Sequence, residues 1–209
     1  MKTNGVRLSI LMPAWNQEQL ALRALDSIPR RDDIEVLARD DGSTDRTLAN
    51  LLEYRIKHAD LNLRVYGNGR NFGCAHTCNL LLRDAAGEYI HYLGNDDYVI
   101  TDAFQRAMEH LGEADVICFN LRINNGDVWP VNEQTKDVYV AQTVRFIRRS
   151  VTEGLVFPEE IVGASDWYFN RDLMARNPSM IYTDITAYHY NHPRRGSLCD
   201  LRARGIIEE

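Results

Sequence analysis

Apolar residues along the chain fall into short blocks whose spacing alternates between strand and helix periods. Arg7–Met12 is an apolar run of strand length, and Pro13, which has no N–H, is expected to end its ladder pairing. Gln17–Ile28 then carries Leu20, Leu22, Ala24, Leu25 and Ile28 at roughly helical spacing. A strand at Ile34–Arg39 and a helix from Arg46 to Lys57 repeat the unit. Between them lies Asp40-Asp41-Gly42-Ser43-Thr44-Asp45, where Gly42 permits a sharp turn, Ser43 or Thr44 caps the helix and Asp45 complements its dipole. Leu61–Tyr66, the loop Gly67–Gly73 and a helix from Cys74 to Ala85 make a third unit. Three successive strand-loop-helix units predict an α/β fold on a right-handed, mostly parallel sheet with helices on both faces.

A fourth apolar run, Tyr89–Leu93, opens onto Gly94-Asn95-Asp96-Asp97. Beyond it the pattern predicts a helix at Asp102–Leu111 and a strand at Asp115–Leu121. The hairpin-type turn Asn124-Asn125-Gly126-Asp127 adds antiparallel edge strands. Ala141–Val151 reads as a basic-faced helix, Thr152–Gly163 as a loop around Pro158, Ser165–Ala175 as a helix and Met180–Tyr190 as the last strand. Asn191–Glu209 is a polar tail, either loosely ordered or docked by Leu198, Leu201, Ile206 and Ile207. No repeat or linker interrupts the pattern, so residues 1–209 are expected to form one domain.

Composition narrows the partners. The 209 residues are enough to bury a large core without disulfides, and 44% apolar with 26% charged content is ordinary for a soluble protein. A net charge of −6 disfavours nucleic acid and favours a small-molecule substrate. Cys74 and Cys78 form a C-x3-C pair, but Cys118 and Cys199 supply no matching second pair for zinc, so the four read as reduced thiols. The N-terminus lacks a signal-peptide core, and no apolar run approaches the roughly 18 residues of a membrane span. The expected location is cytoplasmic, with peripheral contact at the inner membrane face and homo-oligomerisation left open.

In open α/β sheets, ligands bind beyond the carboxyl ends of the strands. The loops Pro13–Asn16, Asp40–Asp45, Gly67–Gly73 and Asn95–Asp97 all leave such ends, so four polar loops converge on one crevice. Adjacent carboxylates at Asp96 and Asp97 repel each other unless a cation sits between them, which points to a divalent metal; a solvated Asp-Asp turn is the plain alternative.

Pro13-Ala14-Trp15-Asn16, Asp40-Asp41-Gly42-Ser43-Thr44-Asp45, Asn71-x-Gly73-x-Ala75-x-x-x-Asn79, Gly87-Glu88-Tyr89-Ile90 and Asn95-Asp96-Asp97 occur in that order. Phe157-Pro158-Glu159-Glu160-Ile161, Ser165-Asp166-Trp167 and Tyr188-His189-Tyr190 through Ser197 follow. Together they resemble the motifs of family 2 glycosyltransferases with the GT-A, Rossmann-like fold. The resemblance implies an inverting, metal-dependent transferase that moves a sugar from a nucleotide-sugar, expected to be a UDP-sugar, to a hydroxyl of a glycan, lipid-linked or small acceptor. Residues up to about 97 would bind the donor and those from about 98 to 190 the acceptor.

It places Pro13, Ala14, Trp15, Asn16, Asp41, Arg70, Asn95 and Asp96 at the donor. Trp15 would stack on uracil, Asp41 would accept its N3–H, and Arg70 would meet base or diphosphate. Asp96 and Asp97 would hold Mg²⁺ or Mn²⁺, and Asn95 would give a neutral ligand or a ribose contact. Asp166 would be the base that deprotonates the acceptor. Gly73 and Asn79 would shape their loop and helix. His189 or His192 would approach the metal, and Arg194 with Arg195 would close over the phosphates. Gly94 and Ser165 stand where the family carries acids, which keeps open a degenerate member that binds nucleotide-sugar or a partner without turnover. A nucleotidyltransferase is disfavoured, since no basic glycine-rich loop follows the first strand.

Overall fold

Three parallel strands, β1 (Leu8–Ala14), β2 (Ile34–Asp40) and β3 (Leu63–Gly67), alternate with helices α1 (Leu20–Ser27), α2 (Thr47–Lys57) and α3 (Cys74–Asp84). The computed structural model describes residues 5–135, 142–161 and 165–194. β1 and β2 are buried along almost their whole length, as continuous apolar runs in a doubly covered parallel sheet must be. β4 (Tyr89–Tyr92) joins β1 on its other side, also in parallel.

The strand expected to stop at Pro13 runs on to Ala14, paired with Asp40. Alternation explains it. Leu11 O accepts from Leu93 N on the β4 side, so Pro13, two residues on, turns its missing N–H to that same side, where pairing with β4 has already ended at Leu11.

After β4 come β5 (Tyr98–Val99), α4 (Thr101–Met108), β6 (Val116–Ile123), β7 (Val128–Trp129), β8 (Arg145–Arg148), α5 (Ser165–Met174) and β9 (Met180–Tyr190). One sheet results, in the order β3-β2-β1-β4-β8-β6-β9-β5, with β7 hairpinned onto β6. It is parallel through β3-β2-β1-β4 and mixed beyond. β8 runs antiparallel to both β4 and β6, so antiparallel pairing enters the middle of the sheet as well as its edge.

β8 also corrects the basic helix expected over Ala141–Val151. Ala141 lies outside the described residues, and the rest is a 3₁₀ turn at Gln142–Val144, the strand, and a second 3₁₀ turn at Arg149–Thr152. Val144, Arg145, Phe146 and Ile147 are all buried, and a strand between two neighbours can bury both its faces where an amphipathic helix cannot. Arg145 is thus inside, donating to Asn170 Oδ1 at 2.6 Å, rather than on a solvated face. The cap of α2 is likewise reassigned: neither Ser43 nor Thr44 bonds its first turn, and Asp45 Oδ1 accepts from Thr47 N at 2.9 Å.

His91, in β4, is fully buried against Phe104, Phe119, Phe146 and Tyr188. Burial pushes its pKa down to about 4, so this histidine is a neutral core residue. Among the described residues no helix is long and apolar enough to cross a membrane.

Candidate active site

The register Ala14, Asp40, Gly67 brings the carboxyl ends of β1, β2 and β3 level, and the loops that leave them are stitched together. Asn16 adopts a left-handed backbone (φ 50°); its N–H donates to Ser43 Oγ at 2.9 Å and its Oδ1 accepts from Thr44 N at 2.8 Å. Glu18 N donates to Asp45 Oδ2, and Arg46 N returns the bond to Glu18 Oε2. Gly42 (φ +68°) lies so close to the third loop that a Cβ there would overlap the backbone of Arg70. Trp15, at the tip of the first loop, is 50% exposed, so it is an open aromatic face and not a core residue. Pro13 and Ala14 sit beneath it inside β1.

Asp41 is 3% exposed. Its Oδ1 accepts from Asn68 Nδ2 (2.9 Å) and Phe72 N (3.0 Å), and its Oδ2 from Gly73 N (2.8 Å). It therefore shapes the third loop, and Oδ2 keeps capacity for a further donor. Asp40, the last residue of β2, accepts from Ser43 N through Oδ2, while its Oδ1 is buried without a partner among the described residues. Arg70 is exposed with its guanidinium 4.4 Å above the Phe72 ring.

At the end of β4 the carboxylates part ways. Asp97 is 4% exposed, and both its oxygens are bonded: Oδ2 accepts from Tyr188 Oη at 2.6 Å and Oδ1 from Asn191 N at 2.8 Å. Burial, then the neighbouring Asp96, raises its pKa to about 7. Tyr188 Oη also accepts from Gly94 N, so the C-terminal strand clamps the acidic loop. Gly94 stands where an acid was expected, and a Cβ there would lie 2.6 Å from Asp97 Oδ2. The missing acid is thus a consequence of where Asp97 turns.

Asp96 faces the other way, paired with Arg194 at 2.7 and 2.9 Å, while its carbonyl accepts from Arg23 Nη2 at 2.6 Å. Asn95 Nδ2 is buried with no partner among the described residues. His189 stacks on Tyr98 with centroids 4.2 Å apart, and the Arg23 guanidinium lies 4.9 Å from the centroid of the same Tyr98 ring. His192 is drawn into stacking with Tyr190. Arg195 and Ser197 lie outside the described residues.

Asp166 opens α5 and accepts from Trp167 N through Oδ1; Trp167 is 47% exposed. The charges of both Asp166 and Asp41 act on the thiols of Cys74 and Cys78, so both acids come near the start of α3. Asn79 ties the approach to α5: its Nδ2 donates to Phe157 O and Glu159 Oε1, and its Oδ1 accepts from Phe157 N. Phe157 then stacks on Phe169 of α5 at 4.2 Å. Sequence reasoning gave no role to Asn68, Arg23, Tyr188 or Asn191. Tyr188 lay in a quoted motif, but only the fold pairs it with Asp97, more than ninety positions away.

A model of "Glycosyl transferase family 2" matches residues 9–169. The chain belongs to that family. It is 26% identical to the poly(ribitol-phosphate) beta-N-acetylglucosaminyltransferase TarS of Staphylococcus aureus over 91% of its own length and 36% of that protein's. It is 28% identical to EpsJ, an uncharacterized glycosyltransferase of Bacillus subtilis, over 97% and 65%. Among solved structures, TarS in complex with UDP-GlcNAc superposes with a TM-score of 0.78 at 25% identity, covering 91% of this chain and 60% of that one. The mannosyltransferase PcManGT of Pyrobaculum calidifontis, solved with GDP-Man and Mn²⁺, gives 0.72 at 21% over 97% and 65% and shares the fold. The chain thus spans between about a third and two thirds of these relatives.

Metal binding in this family 2 domain can be tested against its own residues. Among the described residues no group of three or more His, Cys, Asp or Glu side chains converges as a cage. Asp96 is a partly exposed carboxylate, with Oδ1 engaging none of the described donors. One protein carboxylate suits Mg²⁺ or Mn²⁺, hard ions that complete their shell with water and substrate phosphate.

Proposed function

We propose that this domain transfers a sugar, with inversion, from a UDP-sugar to a hydroxyl of a glycan or polyol-phosphate acceptor. The observation that carries the reading is that Asp41 and Asp166, from opposite ends of the sequence, both come near the start of α3, with Asp96 on a loop at the same end of the sheet. Similarity to TarS, solved with UDP and with UDP-GlcNAc, supports uracil as the base.

Trp15 offers its open face to the base, and stacking of this kind contributes about 1–3 kcal/mol. Asp41 Oδ2 accepts the base's ring N–H beside its bond to Gly73 N, and Arg70 reaches the outer edge of the base or the diphosphate. The stitched loops hold these groups before the donor arrives, so binding costs little reordering. Asn95 faces the ribose. Asp96 holds the metal, which supplies charge neutralisation at the departing diphosphate. Arg194 leaves Asp96 for the phosphates as they bind, which exchanges one anionic partner for another. Asp97 keeps the loop in shape from behind, through Tyr188 and Asn191. Asp166 takes the proton from the acceptor hydroxyl as its oxygen attacks the anomeric carbon opposite the diphosphate.

The test is transfer from a panel of nucleotide-sugars with Mn²⁺ or Mg²⁺, with Asp96→Ala and Asp166→Asn alongside. Asp166→Asn is expected to bind UDP like the parent yet lose about 10²–10⁴ in rate. Parent-like transfer by both variants refutes these roles. UDP binding without any transfer or sugar release favours the non-catalytic reading that Gly94 and Ser165 keep open.

A further inference from the structure

Cys74 and Cys78 stand one turn apart at the start of α3, with their sulfurs 3.8 Å apart. Cys74 is exposed and Cys78 is buried. The two differ electrostatically as well as in access. The hydrogen bond between the two sulfurs holds the Cys74 thiol below its ordinary pKa, while the same contact pushes Cys78 well above it. Asp41 and Asp166, the acids that face the pair, work against ionisation of both, and Cys74 stays lowered in spite of them. A thiolate at the first residue of a helix is further favoured by the helix dipole. This division, an open sulfur of lowered pKa within 3.8 Å of a buried one of raised pKa, is that of an attacking and a resolving cysteine.

We propose that Cys74 and Cys78 form an oxidation site at the start of α3, taking hydrogen peroxide as oxidant and ending as a Cys74–Cys78 disulfide. In the first step the Cys74 thiolate attacks one peroxide oxygen. The S–O bond forms, the O–O bond breaks, and hydroxide leaves and is protonated to water; Cys74 becomes a sulfenic acid. In the second, the Cys78 sulfur attacks Cys74. The S–S bond forms, the S–O bond breaks, and the departing hydroxide takes the Cys78 proton as water. Sulfur loses two electrons in all and the peroxide gains them.

The disulfide has a structural cost that makes it a switch. Cα atoms four residues apart on a helix are about 6 Å apart, within the range a disulfide spans. Their Cβ atoms are about 5–6 Å apart, whereas a disulfide holds Cβ atoms at about 3.8 Å. The first turn of α3 must therefore distort. Gly73, immediately before it, gives its N–H to Asp41 Oδ2, and Phe72 gives its own to Oδ1. Oxidation therefore pulls on the donors that hold Asp41, and nucleotide affinity falls; this consequence rests on the functional reading above.

The experiment uses the full chain. UDP binding is measured by calorimetry on reduced protein, after hydrogen peroxide, and after re-reduction with dithiothreitol, with peptide mass spectrometry of the 74–78 region at each stage. The expected result is loss of two hydrogens across the pair and a UDP affinity weakened about tenfold, the worth of one charge-assisted hydrogen bond, restored by dithiothreitol. Cys78→Ser is expected to stop at a Cys74 sulfenic acid trapped by dimedone, and Cys74→Ser to give neither product. Thiols that stay reduced at peroxide levels that oxidise free glutathione overturn the site, and a disulfide that leaves UDP affinity unchanged overturns the switch. If reduced protein fails to bind UDP while the disulfide forms, the functional reading fails and the oxidation site stands.

Discussion

Gly94→Asp writes an acid into the position where the family resemblance expects one, and the structure predicts damage rather than repair. The backbone at Gly94 is not left-handed, so any cost comes from space and charge. A Cβ would sit 2.6 Å from Asp97 Oδ2 and 3.3 Å from Tyr188 Oη. Asp97 must then leave the place where Tyr188 and Asn191 N bond it at 2.6 and 2.8 Å. A hydrogen bond to a charged group contributes about 1.5–3 kcal/mol, and partial loss of two gives about 2–4 kcal/mol. The new carboxylate also joins Asp96 beside Asp97, whose pKa burial has already raised to about 7. For a chain of this length each kcal/mol lowers Tm by about 2–4 °C, so calorimetry should show a fall of roughly 5–15 °C. Gly94→Ala, which adds the overlap without the charge, should fall by less. The reasoning is refuted if Gly94→Asp melts within about a degree of the parent and binds Mn²⁺ more tightly.

Three further outcomes follow from other contacts. His91 is neutral in the fold with a pKa near 4, while the unfolded chain protonates it near 6.5. Its share of stability is therefore complete above about pH 6.5 and lost as pH falls toward 4, by about 3 kcal/mol; urea titrations of His91→Asn should lack that part of the pH slope. Arg194→Ala removes the cation paired with Asp96, so Mn²⁺ binding without nucleotide should strengthen about fivefold; an unchanged affinity means that Arg194 and metal do not compete. Asn79→Ala deletes the bonds to Phe157 and Glu159 and should cost about 1–3 kcal/mol in chemical denaturation, whereas a parent-like midpoint would show the clamp to be idle.

Local patterning carried the first half of the fold, because β1 to β4 are short, largely apolar runs and their helices carry apolar residues at helical spacing. β9 was readable to the residue. β8 was not: a basic residue every few positions mimics a helix face, and only long-range pairing with β4 and β6 shows that Arg145 points inward. β5, two residues long, exists because β9 returns beside it, and nothing local marks it. In the candidate site, sequence put Trp15, Asp41 and Asp96 on loops that leave strand ends and Asp166 at the start of a helix, and the structure has them there, since strand ends fix where loops emerge. It could not tell which way neighbouring carboxylates turn. Asp96 and Asp97 are alike as letters, and Tyr188 and Arg194 separate them.

The pairing of β8 with β4 bears on how the chain comes off the ribosome. Tyr89 and Ile90 find their partners in Arg148 and Ile147, almost sixty residues downstream. Until that stretch emerges, seconds after β4 at ordinary synthesis rates, β4 presents an open apolar strand edge, the feature most prone to mispair with other chains. A fragment cut near residue 97 keeps that edge for good. The segment up to residue 97, though contiguous in sequence, is therefore not a portable module, and an expressed 1–97 segment should aggregate.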